Sequence, residues 1–564
     1  MCKKTALIGV LFVIILGQVD CGRQINREAV VPLTGIVTSQ KEGAMEGVLV
    51  TAQRVGGSIA VTVDSDKQGR YTFPASRLTP GDYQLTIRAV GYEADNPNMI
   101  ATVADSKTTE FDIRLDKTSN LAAQLSDAEW LDSVPGTEQQ KDIFFNCVHC
   151  HSLSLALESN HNEAEFRSVI VRMRNYLTPA TLTVPIPKLH RSGSRPLDVV
   201  LAKFLSSVDL STRSKLDYKL KTFPRPTGND TKVVITEYTI PYPDWQPHDA
   251  ALDSDGMVYF TDFSSPRFGQ LDPRTGKVTV WEDLNKKWGY RQQGFQCMQF
   301  DSKGNPWIAR HSENGIAEFD RKTGKFINYS VPPSAGGNAH TTTDFLAITH
   351  DDQYVWFKDS GNLLMYRLDV ATGKFNRYVP YPNYHPPYSV GNGLKGPKPL
   401  GHNIYGVSVD SKGNCYFADM AGGNIGKVDA QTGKITLFPT PTPNSGPRRT
   451  HMDPKDRLWF AEYWAGKIGM FDTKTNQFHE WTIPLPWYGP YDAVLDKDGY
   501  VWTGGMPSDF VFHFNPKTGV WDKYLLPRLG VNIRRVSVIN STTPPTFLIG
   551  ENHQARIAKI ELLN

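Results

Sequence analysis

Between residues 31 and 117 apolar and polar side chains alternate in short runs: LTGIVTS, GVLVTAQRV, IAVTVDSDKQGRYTFP, GDYQLTIRAVGY and TEFDIRL. Period-two alternation broken by frequent turn signals predicts an antiparallel β-sandwich. Gly69 and Gly81 stand where tight turns need freedom in φ. Tyr71, Tyr83 and Tyr92 fall in or beside strands, where a ring fills a small core. From about residue 118 to 225 the pattern turns helical. Ser126 with Glu129 and Thr137 with Gln140 have capping-box spacing. EFRSVIVRMRNYL reads as an amphipathic helix, and PLDVVLAKFLSS as a closing helix.

From about residue 230 to 564 the β-type runs return as one repeat. Its anchor is the aromatic of a turn–strand unit D-x-x-G-x-x-W-F: Tyr259, Trp307, Trp356, Tyr416, Trp459, Trp502 and, degenerate, Leu548. A second turn follows each of the first six anchors: DPRTGKV, DRKTGKF, DVATGKF, DAQTGKI, DTKTNQF and NPKTGVW. Units of roughly 40–50 residues with this content predict the blades of a β-propeller, and seven anchors predict seven blades. ARIAKIELL leaves the last blade one strand short, and KVVITEYTI, ahead of the first, can close the ring. The fold class is therefore mainly β, with a small helical domain between sandwich and propeller.

The hairpin opening each blade also positions side chains. With its turn near residue 255, His248 and Asp262 are expected to face each other on one rim of the channel. The equivalent first positions are Gln296, Phe345, Tyr405, Arg448, Tyr491 and Arg534; the second are Arg310, Asp359, Asp419, Glu462, Gly505 and Glu551. This predicts a polar funnel where a small molecule or partner would bind, with His248 as base and Asp262 orienting it. Insertions before blades two, three and four (WEDLNKKWGYRQQG, VPPSAGGNAHTTT, VPYPNYHPPYSVGNGLKGPKPLGH) rise on that rim, as a lid or as packing against the helical segment.

Composition narrows the classes. Of 564 residues 40% are hydrophobic, and 61 basic side chains face 58 acidic ones, a net charge of +3. That excludes wholesale disorder, and no basic stripe marks a nucleic-acid partner. Ala6 to Gly17 is apolar and follows Lys3 and Lys4, so residues 1–21 read as a secretory signal and the protein as periplasmic or secreted. A lipid anchor at Cys21 is disfavoured, because Gln18-Val19-Asp20 lacks the usual small residues. No later segment suits a membrane span. Six cysteines, two of them in the signal region, exclude a disulfide scaffold.

Cys147-x-x-Cys150-His151 carries the sharpest chemistry. This spacing attaches haem c: two thiols one turn apart bond the vinyl groups, and the histidine ligates iron. The competing readings are a thiol redox pair or half a zinc site. Met173 is the expected second axial ligand, with His190, His149 and His161 as alternatives.

Three resemblances accompany these readings. G-x-V…EGV-x-V…D-x-x-G-x-Y-x-F-P…G-x-Y-x-L…GY resembles the carboxypeptidase regulatory-like domain, which implies a spacer or adhesion module, sometimes for carbohydrate, without catalytic residues. The middle segment resembles a cytochrome c domain. The repeat, through PHDAALDSDGMVYFTD, IYGVSVDSKGNCYFADMAGGNIGKVDAQTGKI, PRRTHMDPKDRLWFAEYWAGKIG and GPYDAVLDKDGYVW, resembles the streptogramin (virginiamycin B) lyases. That family implies ester elimination by a histidine base beside Mg²⁺ held by two glutamates. Here Gln246-Pro247-His248 and Asp262 keep the motif's spacing in blade one, with Gln and Asp in place of Glu. The last blade reads Asn532-Ile533-Arg534-Arg535, with Glu551 alone at a glutamate position. The expected functions are an exported haem c protein exchanging electrons with a partner protein or small carrier, a lyase with an accessory haem, and a non-catalytic, possibly glycan-binding platform.

Overall fold

The computed structural model describes residues 31–174, 196–210, 218–282, 294–310, 314–338, 341–384 and 401–563. The signal segment, Cys21, His190 and parts of the three insertions lie outside the described residues. Among the described residues no helix is long and apolar enough to cross a membrane.

The alternating runs of residues 33–117 form two β-sheets around Leu33, Val37, Val50, Val63, Phe73 and Leu85, all buried. Tyr71, Tyr83 and Tyr92 are buried as expected. Each hydroxyl finds a partner: the Phe111 carbonyl, the Thr79 carbonyl and the Glu42 carboxylate. Such pairing lets a phenol enter a small core without an unsatisfied group.

The helical segment contains α1 (Asp127–Ser133), α2 (Glu138–Phe145), α3 (Ser154–Leu157), α4 (Glu163–Met173) and α5 (Pro196–Val208). Both expected capping boxes are present, Ser126 with Glu129 and Thr137 with Gln140. A third, Asn162 with Glu165, starts α4. Helix α5 packs on α4 and α2 and turns Phe204 and Leu205 inward.

Six four-stranded antiparallel sheets follow, over residues 247–282, 295–330, 343–378, 404–439, 447–482 and 494–525. The seventh consists of Ile533–Ile539, Thr546–Glu551 and Arg556–Leu562, and Val233–Thr239 pairs with its last strand, Val233 opposite Leu562. The ring is thus closed by the segment ahead of blade one. The repeat motif has a local cause. In blades five and six the Asp that opens each turn accepts two backbone N–H groups on one oxygen and the anchor indole N–H on the other (Trp459 to Asp453, 3.1 Å; Trp502 to Asp496, 2.9 Å). One carboxylate thereby fixes both the turn and the ring that fills the blade.

The closing strand has a second partner. Its free edge pairs antiparallel with Ile59–Asp64 of the sandwich, Val234 opposite Val63 and Thr236 opposite Val61. Blade seven and half of the sandwich therefore form one eight-stranded sheet. Arg88 reinforces this junction, donating to the Leu526 carbonyl (2.7 Å) and to Asp509 (2.7 Å). Nearby, Gly47 has φ +70°, and a Cβ there would lie 2.0 Å from the Pro226 carbonyl oxygen, so only glycine fits.

Candidate functional site at the channel mouth

Each blade places one extra residue near the start of its inner strand. In blade one Pro247 pairs with Asp262 and Ala250 with Phe260, leaving His248 and Asp249 opposite Thr261 alone. The same slip occurs between Phe295 and Met298, Thr343 and Leu346, Ile404 and Val407, Pro447 and Thr450, and Ile533 and Val536. A β-bulge of this kind re-aims side chains, and it presents a pair of residues per blade to the channel. In blade three the pair is Asp344-Phe345, so the equivalent of His248 is Asp344 rather than the expected Phe345. Lys358 Nζ holds Asp344 at 2.8 Å.

The first members of the pairs meet one another. His248 Nε2 lies 3.0 Å from the Tyr491 hydroxyl, which lies 2.7 Å from the Tyr405 hydroxyl. Arg448 donates to Tyr405 (3.0 Å) and stacks over Tyr491 and Tyr463, 4.0 and 4.3 Å from the ring centroids. The second members form a charged cluster. Arg449 grips Asp249 with two bonds of 2.7 Å, Arg535 donates to Asp249 at 2.6 Å, and Asp492 lies 3.6 Å from Arg449 Nε. Burial opposes charge on Asp249, but Arg449, Arg535 and the His248 hydrogen bond outweigh it and hold the carboxyl well below the usual range. The sequence reading missed Asp249, Arg449, Asp492 and Arg535. Their signal was present as charged residues recurring one place after the rim position.

Asp262 does not orient His248. The bulge hands that role to Asp249, whose carboxylate lies 2.9 Å from His248 Nδ1. Asp262 instead accepts the N–H groups of Gln246 and Ser264 and an Arg267 donor, tying down the rim loop. Asp359 likewise caps Thr342, Gly361 and Asn362, and Asp419 caps Asn403 and Gly422 while accepting from Tyr381 and His402. All three acids are fully buried, as are Glu462 and Glu551. Of the expected acidic rim, Asp262, Asp359 and Asp419 are thus loop anchors, whereas the Glu462 and Glu551 carboxylates have no hydrogen-bond partner among the described residues. Among the described residues no three His, Cys, Asp or Glu side chains converge to hold a metal ion.

Burial pushes Glu551 well above the glutamate range, with Glu237 beside it adding to the shift. Burial, reinforced by Glu480, takes Glu462 up to about 8. The folded chain then retains a proton that the unfolded chain releases, so stability falls as pH rises from the ordinary glutamate range toward that value. The difference in Tm between wild type and Glu462→Gln, measured from pH about 5 to about 8.5, is expected to move steadily in favour of the variant.

The channel is also covered. The loop after α2 sits on its mouth: Asn532 Nδ2 donates to the Val148 carbonyl (2.7 Å) and Arg534 to the His149 carbonyl (2.8 Å). Phe145 stacks on Tyr463 at 4.8 Å, and the Ala128 N–H donates to the Pro507 carbonyl. Gln296, Tyr405, Arg448, Tyr491 and Arg534 are consequently buried, and His248 has no exposed surface. Burial, with Arg534 and Arg449 nearby, lowers His248 to about 4 despite the Asp249 hydrogen bond, so the ring is neutral with both nitrogens engaged. An open general base at this position does not exist in this arrangement.

The covering loop is the Cys-x-x-Cys-His segment. Helix α2 passes into a 3₁₀ turn over Asn146–His149, and the Cys150 N–H returns to the Cys147 carbonyl at 3.2 Å, placing both free thiols on one turn. His151 Nδ1 donates to the Ser152 carbonyl (2.8 Å), which fixes the ring and leaves Nε2 as a lone-pair donor. Asp127 pins the exit by accepting from Ser152 Oγ (2.8 Å) and the Leu153 N–H (2.7 Å). Burial takes Cys147 up to about 12 and Cys150 up to about 11, the reverse of what a reactive dithiol needs. Two protonated thiols beside one oriented imidazole are a donor set that fits haem c. Met173 ends α4, half-buried, and His161 pairs with Glu165.

Comparison with known proteins agrees with the two β regions. Residues 399–562 match the virginiamycin B lyase family and residues 32–116 the carboxypeptidase regulatory-like domain. A solved streptogramin B lyase is 19% identical, with a TM-score of 0.50, over 60% of this chain and 100% of that one. Virginiamycin B lyase from Staphylococcus aureus is also 19% identical, with a TM-score of 0.49, over 59% of this chain and 100% of its own. No protein of curated function matches. The fold is that of a lyase-like β-propeller, joined here to a carboxypeptidase regulatory-like sandwich.

Proposed function

We propose that the chain is a c-type haem electron-transfer protein in which the propeller is the platform that encloses the haem-bearing loop. The observation that carries this reading is the arrangement of Cys147, Cys150 and His151: two thiols on one turn and an imidazole whose Nδ1 is already committed to Ser152. When bound there, haem would supply one-electron chemistry. The residues of the chain provide the rest. Cys147 and Cys150 would attach the haem, and His151 would ligate it. Asn532 and Arg534 clamp the backbone of the loop, and the stacked Arg448, Tyr463 and Phe145 exclude water from one side of it. The reading includes export by residues 1–21, a protein or small-carrier redox partner, and the sandwich as a spacer.

The lyase alternative draws less support. His248 has no unengaged nitrogen, and Asp262, Asp359 and Asp419 are committed to loop N–H groups. Mg²⁺ would find no free carboxylate pair among them.

Expression in a host that matures c-type cytochromes tests the reading. Purified wild type is expected to keep its haem through denaturing electrophoresis and to give a c-type pyridine haemochrome. Cys147→Ala and Cys150→Ala should each weaken the covalent stain, and the double variant should lose it. Full staining of the double variant would sink the proposal.

A further inference from the structure

We propose that His553, on the turn between the last two strands of blade seven, is the side chain that faces iron from the second axial side when haem is attached at Cys147 and Cys150. The inference rests on the haem reading above and assigns a ligand from a different domain. His553 Nε2 is fully enclosed and has no hydrogen-bond partner among the described residues. A buried ring nitrogen without a partner is costly, and a bound metal, ion or water is what satisfies it.

The turn is tethered to the loop that carries the cysteines. The His553 N–H donates to the Val531 carbonyl (3.3 Å), the neighbouring Asn532 holds the Val148 carbonyl at 2.7 Å, and Arg534 holds His149 at 2.8 Å. The imidazole of His553 lies within electrostatic reach of His151, His149 and Arg534. A side chain so placed is fixed by the same contacts that seat the motif, so no separate hinge is needed to present it.

Of the other described candidates, neither His149 nor His161 carries a buried ring nitrogen without a partner. His149 Nδ1 donates to the Asn146 carbonyl at 2.9 Å, as His151 Nδ1 does to the Ser152 carbonyl, but its ring packs on Tyr463. His161 pairs with Glu165 and packs edge-on against Phe166. Met173 ends α4, which packs along α5. His190 lies outside the described residues.

The test uses the full-length haem-loaded protein, with the pyridine haemochrome as an independent measure of attachment. Wild type is expected to be low-spin, unreactive toward carbon monoxide, and without the red-edge charge-transfer band of a methionine–iron bond. His553→Ala should keep its covalent haem but become high-spin and carbon monoxide-reactive, and added imidazole should restore the low-spin spectrum. Should His553→Ala fail to fold, His553→Met keeps the volume, and it should introduce the methionine band and raise the reduction potential. Met173→Ala should leave the spectrum unchanged. A low-spin His553→Ala, a His553→Met without a new band, or a methionine band in wild type that Met173→Ala abolishes would overturn the assignment while leaving the haem reading intact. Wild type without covalent haem would remove the haem reading itself, and this one with it.

Discussion

Replacing Asp249 with asparagine is expected to destabilise the propeller by about 3–5 kcal/mol, the cost of leaving buried charges without their partner. Asp249 receives two bonds from Arg449, one from Arg535, one from the Met298 N–H and one from His248. Asparagine keeps the volume and removes the charge, so Arg449 and Arg535 would share Asp492 alone. Asp492 is already paired with His451 at 2.6 Å. Because the cluster joins blades one, five, six and seven, the loss should appear as a lower midpoint of the main unfolding transition in urea and heat. A chain of this size need not unfold in one step, so the comparison belongs on that transition. Adding Arg449→Met to the variant should recover part of the loss, since members of one ion cluster are non-additive. A midpoint unchanged by Asp249→Asn would mean that the cluster does not hold the ring.

His248→Ala is expected to cost about 2–4 kcal/mol, combining a cavity with the loss of two buried hydrogen-bond partners, Asp249 and the Tyr491 hydroxyl. Its pH signature is separable. Burial lowers the folded imidazole to about 4, below its ordinary value, so the unfolded chain binds more protons between the two. Stability contributed by neutral His248 is therefore present at neutral pH and lost as pH falls through that window. His248→Phe, which cannot titrate, should show a shallower loss of Tm on acidification than wild type. A His248→Ala protein that melts like wild type would return the residue to consideration as an open, reactive base.

The sequence by itself determined the elements and their order. Period-two alternation, the Asp–Gly turns and the anchor aromatics are local signals with local causes, as the paired Asp453–Trp459 and Asp496–Trp502 contacts show. The capping boxes of α1 and α2 and the shortage of one strand in the last blade were legible for the same reason. The carboxylates do end the second strands, but they lie opposite Pro247, Thr343, Ile404, Pro447 and Ile533 rather than opposite His248, Phe345, Tyr405, Arg448 and Arg534, where hairpin counting puts them. What those side chains touch was not legible. A single bulge residue per blade exchanges Asp262 for Asp249 as the partner of His248, and hairpin counting assumes a regular ladder. Contacts between segments hundreds of residues apart leave no trace in periodicity. Only the tertiary structure continues blade seven into the sandwich through Val234 and Val63, and seats Val148 and His149 on Asn532 and Arg534. The latter contact covers the expected funnel with the loop after α2, because burial depends on what packs above a residue and not on its place in the repeat.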